Sequence, residues 1–457
     1  MTLTPGIRAP LDPRFQPAAL FHREYVKAAK TSGKAVLLII GLERNNGLLS
    51  RHETVVTPEA DEATLRHVER IVKFLLWARG GWRIWLAGPP AVGKAIQRAY
   101  SLEGERKFDV ELMSRVYERA FEVALCDARD VPPAKEENAA LGGHLEGCRL
   151  GFDLGASDFK VAAVQDGNVI YSEEFPWEPK TQRSPAYHFE HLSRGLKTAA
   201  GHLPRVDAIG GSTAGVVVNN RIMVASLFRA VPDSLYDGAR NIFIRVRDEW
   251  KKPLEVANDG DVTALAGAMS LGTTGLLGLA MGSSQAAGYL DPKGRMTGWL
   301  SELAFAPVDL ESSAPVDEWS GDHGVGVEYF SQQAVHRLLP AAGIEVPADM
   351  SLPDRLKRVQ ELMAAGDPRP IPIYETIGVY LGYAIAHYAQ FYDFAHVLVL
   401  GRVLTGPGGE LILKRSDEVL KAEFPELAEE VALHLPDEKS RRVGQAVAAA
   451  SLPEIKS

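Results

Sequence analysis

The chain has 457 residues, of which 46% are hydrophobic and 24% charged, and its formal net charge is −9 at pH 7. This length is sufficient for two or three domains with buried cores. The acidic balance disfavours a nucleic-acid partner, and no apolar run approaches the roughly 18 residues that cross a bilayer. We therefore expect a soluble cytoplasmic protein that has neither a nucleic acid nor a membrane as its partner.

The sequence contains only two cysteines, Cys126 and Cys148. Two thiols cannot form a disulfide framework, and they cannot provide the cysteine-rich ligand set of a structural zinc site. This count excludes both means of stabilising a small fold.

The first 146 residues predict a surface arm followed by a small α/β module. Residues 1–16 are rich in proline and lack periodicity, and we expect them to lie on the surface or on a partner subunit. Residues 35–40 read as a strand, 48–56 as its hairpin return, and 82–87 as a third strand after an amphipathic helix. The same order of elements follows at residues 151–211, so the module is either a degenerate half-repeat or an unrelated α/β unit.

Residues 88–95, GPPAVGKA, nearly match the phosphate-binding loop pattern GxxxxGK[ST]. A predicted strand precedes them and a helix follows, as this motif requires. However, Ala95 replaces the hydroxyl that would bind Mg²⁺. We therefore interpret the segment as a structural turn from strand to helix.

The main domain is predicted to begin near residue 147, after a charged linker that contains two adjacent prolines. Residues 150–172 read as a strand, a small-residue turn, a second strand, an Asx-Gly turn and a third strand, which is a β-meander. Asp153 precedes the first turn, where small residues allow backbone N–H groups to approach an anion. The small residues of this turn are Gly155, Ala156 and Ser157.

Six further motifs follow in order, and with the meander they resemble the ROK family of sugar kinases within the actin-like superfamily. The motifs are DAIGGSTAG at 207–215, VANDGDVTALAGA at 256–268, LAMGSSQAAGYL at 279–290, SELAF at 301–305, VEYFS at 327–331 and VLVLGRVLTGPGG at 397–409. The resemblance covers about 300 residues. It implies a two-lobed actin-like (ribonuclease H-like) α/β fold, with mixed sheets flanked by helices and ligands in the cleft between the lobes.

The resemblance implies three parts of the chain: the arm and module at residues 1–146, an N-terminal kinase lobe at 147–265 and a C-terminal lobe at 266–457. It also implies ATP- and Mg²⁺-dependent phosphorylation of a hydroxyl on a hexose-like sugar, and a homodimer. Asp259 corresponds to the general base, although its position at the start of a predicted helix also fits an N-cap. Asp153 would bind Mg²⁺ directly or through water.

The other ligand-binding residues are also carried over from the resemblance. The proposed sugar ligands are Ser212, Thr213, Asn258, Asp259, Glu302 and Glu328. The proposed nucleotide ligands are Asp153, Gly155, Ala156, Ser157, Gly282, Ser283, Ser284, Gly401 and Arg402. Arg402 replaces a usual glycine and would either stack on the base or block it.

The sequence departs from the family at several of these positions. Phe305 stands where the family has a histidine that contacts the sugar and binds zinc, and the zinc cysteines near Asp322 are missing, so we expect no zinc site. The changes at Ser157, Ser284, Phe305 and Arg402 favour an alternative, in which a sugar-binding regulatory or scaffolding protein retains a decayed kinase site.

Overall fold

The computed structural model describes residues 4–136, 141–155, 158–436 and 440–455. Its strands are β1 (Val36–Glu43), β2 (Leu49–Val56), β3 (Arg83–Ala87), β4 (Glu122–Leu125), β5 (Cys148–Leu154), β6 (Asp158–Gln165), β7 (Asn168–Pro176), β8 (Ala208–Thr213), β9 (Val216–Val218), β10 (Arg221–Val224), β11 (Leu254–Asn258), β12 (Leu276–Met281), β13 (Gln285–Leu290), β14 (His396–Leu400) and β15 (Ala432–His434).

Helices occur both before and after residue 147. They are α1 (Ala18–Thr31), α2 (Glu62–Arg79), α3 (Pro90–Ala99), α4 (Lys107–Tyr117), α5 (Pro185–Ala200), α6 (Tyr236–Arg240), α7 (Ile242–Trp250), α8 (Asp259–Leu271), α9 (Gln332–Leu338), α10 (Leu352–Ala364), α11 (Ile371–Tyr388), α12 (Pro407–Glu423), α13 (Pro425–Glu430) and α14 (Ser440–Ala450).

The chain divides into two compact units, and each contains distant parts of the sequence. Unit 1 comprises residues 1–137, 279–287 and 298–435, and unit 2 comprises residues 138–278, 288–297 and 436–457. The N-terminal module is thus grouped with most of the predicted C-terminal lobe. The boundaries predicted after residues 146 and 265 lie near the unit boundaries after residues 137 and 278.

The sheet of unit 2 is the predicted meander extended by parallel strands. Its strand order is β11-β8-β5-β6-β7, in which β5 and β6 are antiparallel while β5, β8 and β11 are parallel. One face is covered by a hydrophobic core to which α5 and α7 contribute Leu192, Leu196 and Val246. Residues of α8 and α14 pack against each other, and α14 also packs against β5, β6 and β8.

Two glycines in adjacent strands allow α14 to lie directly on this sheet. A Cβ added to Gly151 would lie 1.9 Å from the carbonyl oxygen of Ala446, and one added to Gly210 would lie 1.7 Å from that of Ala449. Any larger residue would separate helix and sheet, because such contacts are far inside van der Waals range. This packing sets the height of α14 above the ends of β5 and β8.

The N-terminal module in unit 1 has a four-stranded sheet of order β2-β1-β3-β4. Helix α2 begins where the Asp61 side chain accepts a hydrogen bond from the Thr64 N–H (2.8 Å) and ends at Gly80, whose φ is +76°. These features are those of an N-cap at Asp61 and a glycine C-cap at Gly80. Strand β3 is antiparallel to β1. In unit 2 the corresponding strands, β5 and β8, are parallel to each other. The module therefore does not have the strand directions that a half-repeat of unit 2 would have.

The N-terminal arm packs onto its own chain. Leu11 N–H donates to the Thr376 hydroxyl (3.1 Å), and the Asp12 carboxylate lies 3.0 Å from the Arg337 guanidinium. Phe15 is buried, and its ring lies 4.6 Å from that of Tyr380. The arm is therefore an integral part of unit 1.

The second sheet associated with unit 1 has the order β13-β12-β14-β15. Along the sequence, β12 and β13 cross the boundary between the units. Helix α11 packs along α12, because Gly378 and Gly382 bring the two backbones close together. A Cβ added to either glycine would lie within 3.0 Å of atoms of α12, so a larger residue at either position would push the helices apart.

Candidate active site

The candidate site in unit 2 lies where three parallel strands end. The strand register places Asp153 of β5 beside Ser212 of β8, and Thr213 of β8 beside Asn258 of β11. The carboxyl ends of parallel strands are the usual ligand-binding edge of such sheets. Four of the residues predicted from the sequence are thus neighbours within one unit.

Asp153 is half-buried at this edge. Burial raises the pKa of its carboxyl, while a hydrogen bond with the Ser212 side chain and the nearby charge of Lys160 oppose the rise. Ser212 itself is fully buried. The edge therefore carries a carboxylate and a hydroxyl side by side, and both are oxygen ligands of the kind that Mg²⁺ prefers.

Asn258 is the N-cap of α8. Its Oδ1 accepts a hydrogen bond from the Gly260 N–H at 2.7 Å, and its Nδ2 donates to the Gly215 carbonyl at 2.8 Å. Asp259 is the first residue of the helix, and its carboxylate accepts from the same Gly260 N–H at 3.0 Å. The N-cap that the sequence allowed at Asp259 is therefore provided by Asn258.

The environment of Asp259 favours the protonated acid. Burial, together with the negative charge of Asp153, raises the pKa of its carboxyl to about 7, against the opposing effect of hydrogen bonds from Gly260 and Asn258. Such a carboxyl is matched to accepting a proton near neutral pH. Asp261 lies two residues later in α8. Burial also raises the pKa of its carboxyl to about 7, and this carboxylate accepts a hydrogen bond from the Tyr289 N–H at 3.4 Å.

Gln445 is a member of this group that the sequence did not reveal. From α14, its Nε2 lies 3.2 Å from the Ser212 Oγ and 3.3 Å from the Asp259 carbonyl oxygen. Gln445 thus links the C-terminal end of β8 to the N-terminal end of α8. A single glutamine near the end of the chain gives no sequence signal, since its role depends on how closely α14 packs on the sheet.

The first phosphate loop is described only in part. Gly155 N–H donates to the Asp158 carbonyl (3.0 Å), and the Gly155 carbonyl accepts from the Trp177 indole (3.0 Å). Ala156 and Ser157, which were predicted to contact phosphate, lie outside the described residues.

In unit 1, the segments of Glu302 and Glu328 lie against each other. The short helices Leu303–Phe305 and Gly326–Glu328 are joined by a hydrogen bond from the Gly326 N–H to the Ala306 carbonyl (3.0 Å). Burial raises the pKa of Glu328 to about 7, although Arg337 opposes this and Asp317 adds to it. Both predicted glutamates therefore belong to one continuous wall of unit 1.

The two segments of unit 1 that carry predicted nucleotide ligands, around Gly282 and around Gly401, also adjoin each other. Gly282 N–H donates to the Ser284 carbonyl (2.9 Å), while Ser283 and Ser284 are exposed. A Cβ added to Gly401 would lie 2.4 Å from the Met281 carbonyl oxygen, so this glycine touches the strand before the loop. Arg402 is exposed, and its carbonyl accepts from the Gln360 amide (2.8 Å).

The position that is a histidine in the resembled family is part of an aromatic cluster here. The ring of Phe305 lies 4.5 Å from Trp77 and 5.7 Å from Phe108. Nearby, the buried Asp322 carboxylate forms ion pairs with Arg70 (3.0 Å) and Lys73 (3.1 Å). Among the side chains that the structure describes, no group of three or more His, Cys, Asp or Glu residues is arranged to hold a metal.

The segment that resembles a phosphate-binding loop is mostly helical. Helix α3 begins at Pro90, and the Gly93 N–H is bonded to the Pro89 carbonyl (3.0 Å), so these backbone donors do not face an open loop. The adjacent crevice is lined by Asp127 and Asp130, which would repel phosphate. These features agree with the interpretation as a structural turn.

Comparison with known proteins identifies the fold. No protein-family model matches the chain, and no curated protein matches it. Solved structures do match: a ROK hexokinase from Thermus thermophilus has 19% identity and a TM-score of 0.53, covering 67% of this chain and 97% of that chain. A ROK family glucokinase from Streptomyces griseus, in complex with glucose and AMPPNP, has 18% identity and a TM-score of 0.51, with 67% and 99% covered.

The chain has the ROK fold. The resemblance and the two-lobed α/β class predicted from the sequence are thereby confirmed at the level of the fold. A ROK family transcriptional regulator, a homologue of the E. coli MLC protein, is similar as well, with 17% identity and a TM-score of 0.52 over 67% of this chain and 79% of that chain. The ROK fold thus includes both kinases and a regulator.

None of the helices that the structure describes is long and apolar enough to span a bilayer.

Proposed function

We propose that this protein transfers a phosphoryl group from ATP to a hydroxyl of a hexose-like sugar, with Asp259 as the general base. The observation that carries the proposal is the position of Asp259 at the start of α8, where burial and the neighbouring Asp153 raise its pKa to about 7. A carboxyl with this pKa can take a proton from an alcohol as the oxygen attacks phosphorus. ROK sugar kinases among the structural neighbours support the same reaction class.

Different residues of the chain have different roles in this proposed reaction. An Asp259 carboxylate oxygen accepts the hydroxyl proton, while the Asn258 cap and Gln445 fix the start of α8. Ser212, Thr213, Asn258, Glu302 and Glu328 are the proposed sugar ligands. The loops that begin at Gly155 and Gly282, together with Gly401 and Arg402, are the proposed ATP ligands.

The residues around Asp153 fit a Mg²⁺ ion on the chemistry of their donor atoms, since a carboxylate and the Ser212 hydroxyl are both hard oxygen ligands. When bound, the ion would neutralise charge on the transferred phosphoryl group. Asp153 thus has a second role, because its own charge raises the pKa of Asp259.

The alternative is a sugar-binding regulatory or scaffolding protein with a decayed kinase site. The similarity to a ROK transcriptional regulator favours it, as do the replacements at Ser157, Ser284, Phe305 and Arg402. Against it, both the Asn258-Asp259 pair and Asp153 are present and adjacent in the fold. A measurement of sugar phosphorylation distinguishes the kinase from the sugar-binding protein with a decayed site.

The test is a coupled assay with ATP and Mg²⁺ over a panel of hexoses and N-acetylhexosamines. We expect turnover with at least one sugar and loss of turnover when EDTA removes the divalent ion. Calorimetric binding of a sugar without turnover under any of these conditions would support the alternative function instead.

A further inference from the structure

Helix α2 of the N-terminal module ends directly against the Glu302 segment. The carbonyl oxygens of Trp77 and Ala78, in the last turn of α2, accept hydrogen bonds from the N–H groups of Glu302 (3.0 Å) and Ser301 (2.9 Å). The last four carbonyls of a helix have no partner within the helix. Glu302 is thus attached through its backbone to an element that lies more than 200 residues earlier in the sequence.

The same helix is attached to the segment that leads to Glu328. The buried Asp322 carboxylate lies 3.0 Å from Arg70 and 3.1 Å from Lys73, both on α2, and 2.8 Å from Arg106, which immediately precedes α4. Although burial acts in the opposite direction, the charges of Arg70 and Lys73 hold the pKa of Asp322 below its usual range. Removing one partner of such a buried pair is strongly destabilising, so this attachment holds its geometry.

The attached segments are themselves joined. Besides the bond from Gly326 N–H to the Ala306 carbonyl, the N–H of Val308 donates to the Gly324 carbonyl (2.8 Å). The Phe305 ring packs on Trp77 of α2 at 4.5 Å. A shift of α2 would therefore move both glutamate-bearing segments together.

We propose that α2 is a positioning element for Glu302 and Glu328, which makes the N-terminal module a part of the sugar-binding wall of unit 1. This inference rests on the proposed function, since it takes the two glutamates as sugar ligands. The positioning residues are Asp322 and its partners on the module, which reach the sugar only through the backbone segments that they hold. A misplacement of about 1 Å at a binding group costs on the order of 10² in rate, so such support is expected to matter.

The test uses a charge-balanced pair, Asp322→Asn with Arg106→Met. After this change Glu69 still pairs with Arg70 (2.5 Å) and Lys73 with Asp109 (2.9 Å), while the pair of Arg106 with Glu69 (2.6 Å) is lost together with the attachment to the loop. The matched control is Glu62→Gln with Arg66→Met, which removes an exposed ion pair from the same helix. If the test pair does not fold, Phe305→Leu replaces it, because this change weakens the contact with Trp77 of α2 without leaving a buried charge unpaired.

Two readouts are measured on full-length protein. Hydrogen exchange of the peptides around residues 301–306 and 322–328 is expected to accelerate in the test pair and to stay unchanged in the control. Calorimetry with glucose, mannose, N-acetylglucosamine and N-acetylmannosamine is expected to show about tenfold weaker binding of the sugar that wild type binds, with affinity for a non-hydrolysable ATP analogue within about twofold.

The outcomes separate this inference from the proposed function. Unchanged exchange in the test pair, or faster exchange with unchanged sugar affinity, overturns the positioning role. Equal weakening of sugar and nucleotide binding also overturns it, because that pattern reports general destabilisation. If wild type binds none of these sugars and turns over none in the coupled assay, the proposed function fails, and the exchange readout still decides whether α2 holds the two segments.

Discussion

Asp153 and Asp259 lie close enough within unit 2 for the negative charge of Asp153 to add to the effect of burial and raise the pKa of Asp259. The two carboxyls lie at the ends of strands that bracket β8, and the Ser212 side chain bonds to Asp153. Two like charges in a shared site cannot both ionise easily. The pair thus favours a state in which one carboxylate is ready to accept a proton.

The first prediction concerns Asp259→Asn. This change keeps the size of the side chain and leaves the Asn258 cap in place, but it removes the proton acceptor. We expect turnover to fall by about 10² to 10⁴, the usual contribution of a positioned base, while sugar affinity changes little. Steady-state kinetics with calorimetry of sugar binding measures both.

The matched control for this variant is Asp261→Asn. It removes the same charge from the same turn of α8, at a carboxylate that bonds the Tyr289 N–H. Its turnover per folded molecule is expected to stay within a few fold of wild type. Equal losses in both variants would show that the charge of the helix terminus matters, and not a base at Asp259.

The second prediction follows from the raised pKa of Asp259. The folded pKa of about 7 lies above the roughly 3.9 of an unfolded aspartate, so this group contributes its full stability at low pH and loses it as the pH rises through 7. Asp259→Asn should therefore gain about 2 to 3 kcal/mol of unfolding free energy, relative to wild type, between pH 5 and pH 8.

Urea unfolding at several pH values measures this difference, with the exposed Asp248→Asn variant as control. The kinetic counterpart is a fall in wild-type turnover as the pH drops below about 7, because the protonated acid cannot accept a proton. A turnover that is flat from pH 5 to pH 8 would contradict the assignment of Asp259 as base.

The third prediction concerns the two glutamates of unit 1. Glu302→Gln and Glu328→Gln should each weaken sugar binding by about 1 to 3 kcal/mol, because a charged acceptor of sugar hydroxyls is lost. Since burial raises the pKa of Glu328 to about 7, wild-type affinity should rise as the pH increases through 7. The Glu328→Gln variant should lose that pH dependence in calorimetry, whereas unchanged affinity in both variants would remove them from the sugar site.

The fourth prediction concerns the contact between α11 and α12. A Cβ on Gly382 would lie 2.6 Å from the Val419 Cβ and 2.9 Å from the Ser416 carbonyl oxygen. Gly382→Ala should therefore destabilise the protein by about 1 to 3 kcal/mol. Gly444→Ala in α14 is the control: the nearest atom to its added Cβ is 4.0 Å away, and it should stabilise by about 0.5 to 1 kcal/mol.

The fifth prediction concerns zinc. A structural tetrahedral site needs four ligands, and the segment around Asp322 offers His323 and no cysteine. We expect purified protein to contain less than stoichiometric zinc by elemental analysis. Stoichiometric zinc that is lost on His323→Ala would refute this prediction.

Much of the fold could be predicted from local signals. The turn at Asp166 and Gly167 is a real left-handed turn, with φ of +49° and +79°, and it sets the meander of β5 to β7. Strands β1, β2 and β3 each begin one residue after the predicted start, and β2 and β3 end at the predicted residue. These elements follow from apolar periodicity and turn residues, which depend on neighbours in the sequence.

The rest depends on contacts between distant residues. The direction of β3 beside β1 has no local signature, since an amphipathic helix can connect parallel or antiparallel strands. Gln445 reaches Ser212 only because α14 packs on two glycines of the sheet. The ion pairs of Asp322 join residues about 250 positions apart, and neither partner has a pattern that predicts the other.

The composition of unit 1 has a consequence for how the chain folds during synthesis. The Phe74 ring of α2 is fully buried and stacks on Phe391 at 4.3 Å, while Lys73 beside it pairs with Asp322. A ribosome adds about 5 to 20 residues per second, so these side chains wait roughly 10 to 60 s for their partners to emerge. The segment that is synthesised first therefore completes its packing late, and the apolar face of α2 stays without these partners until the second half of the chain has emerged.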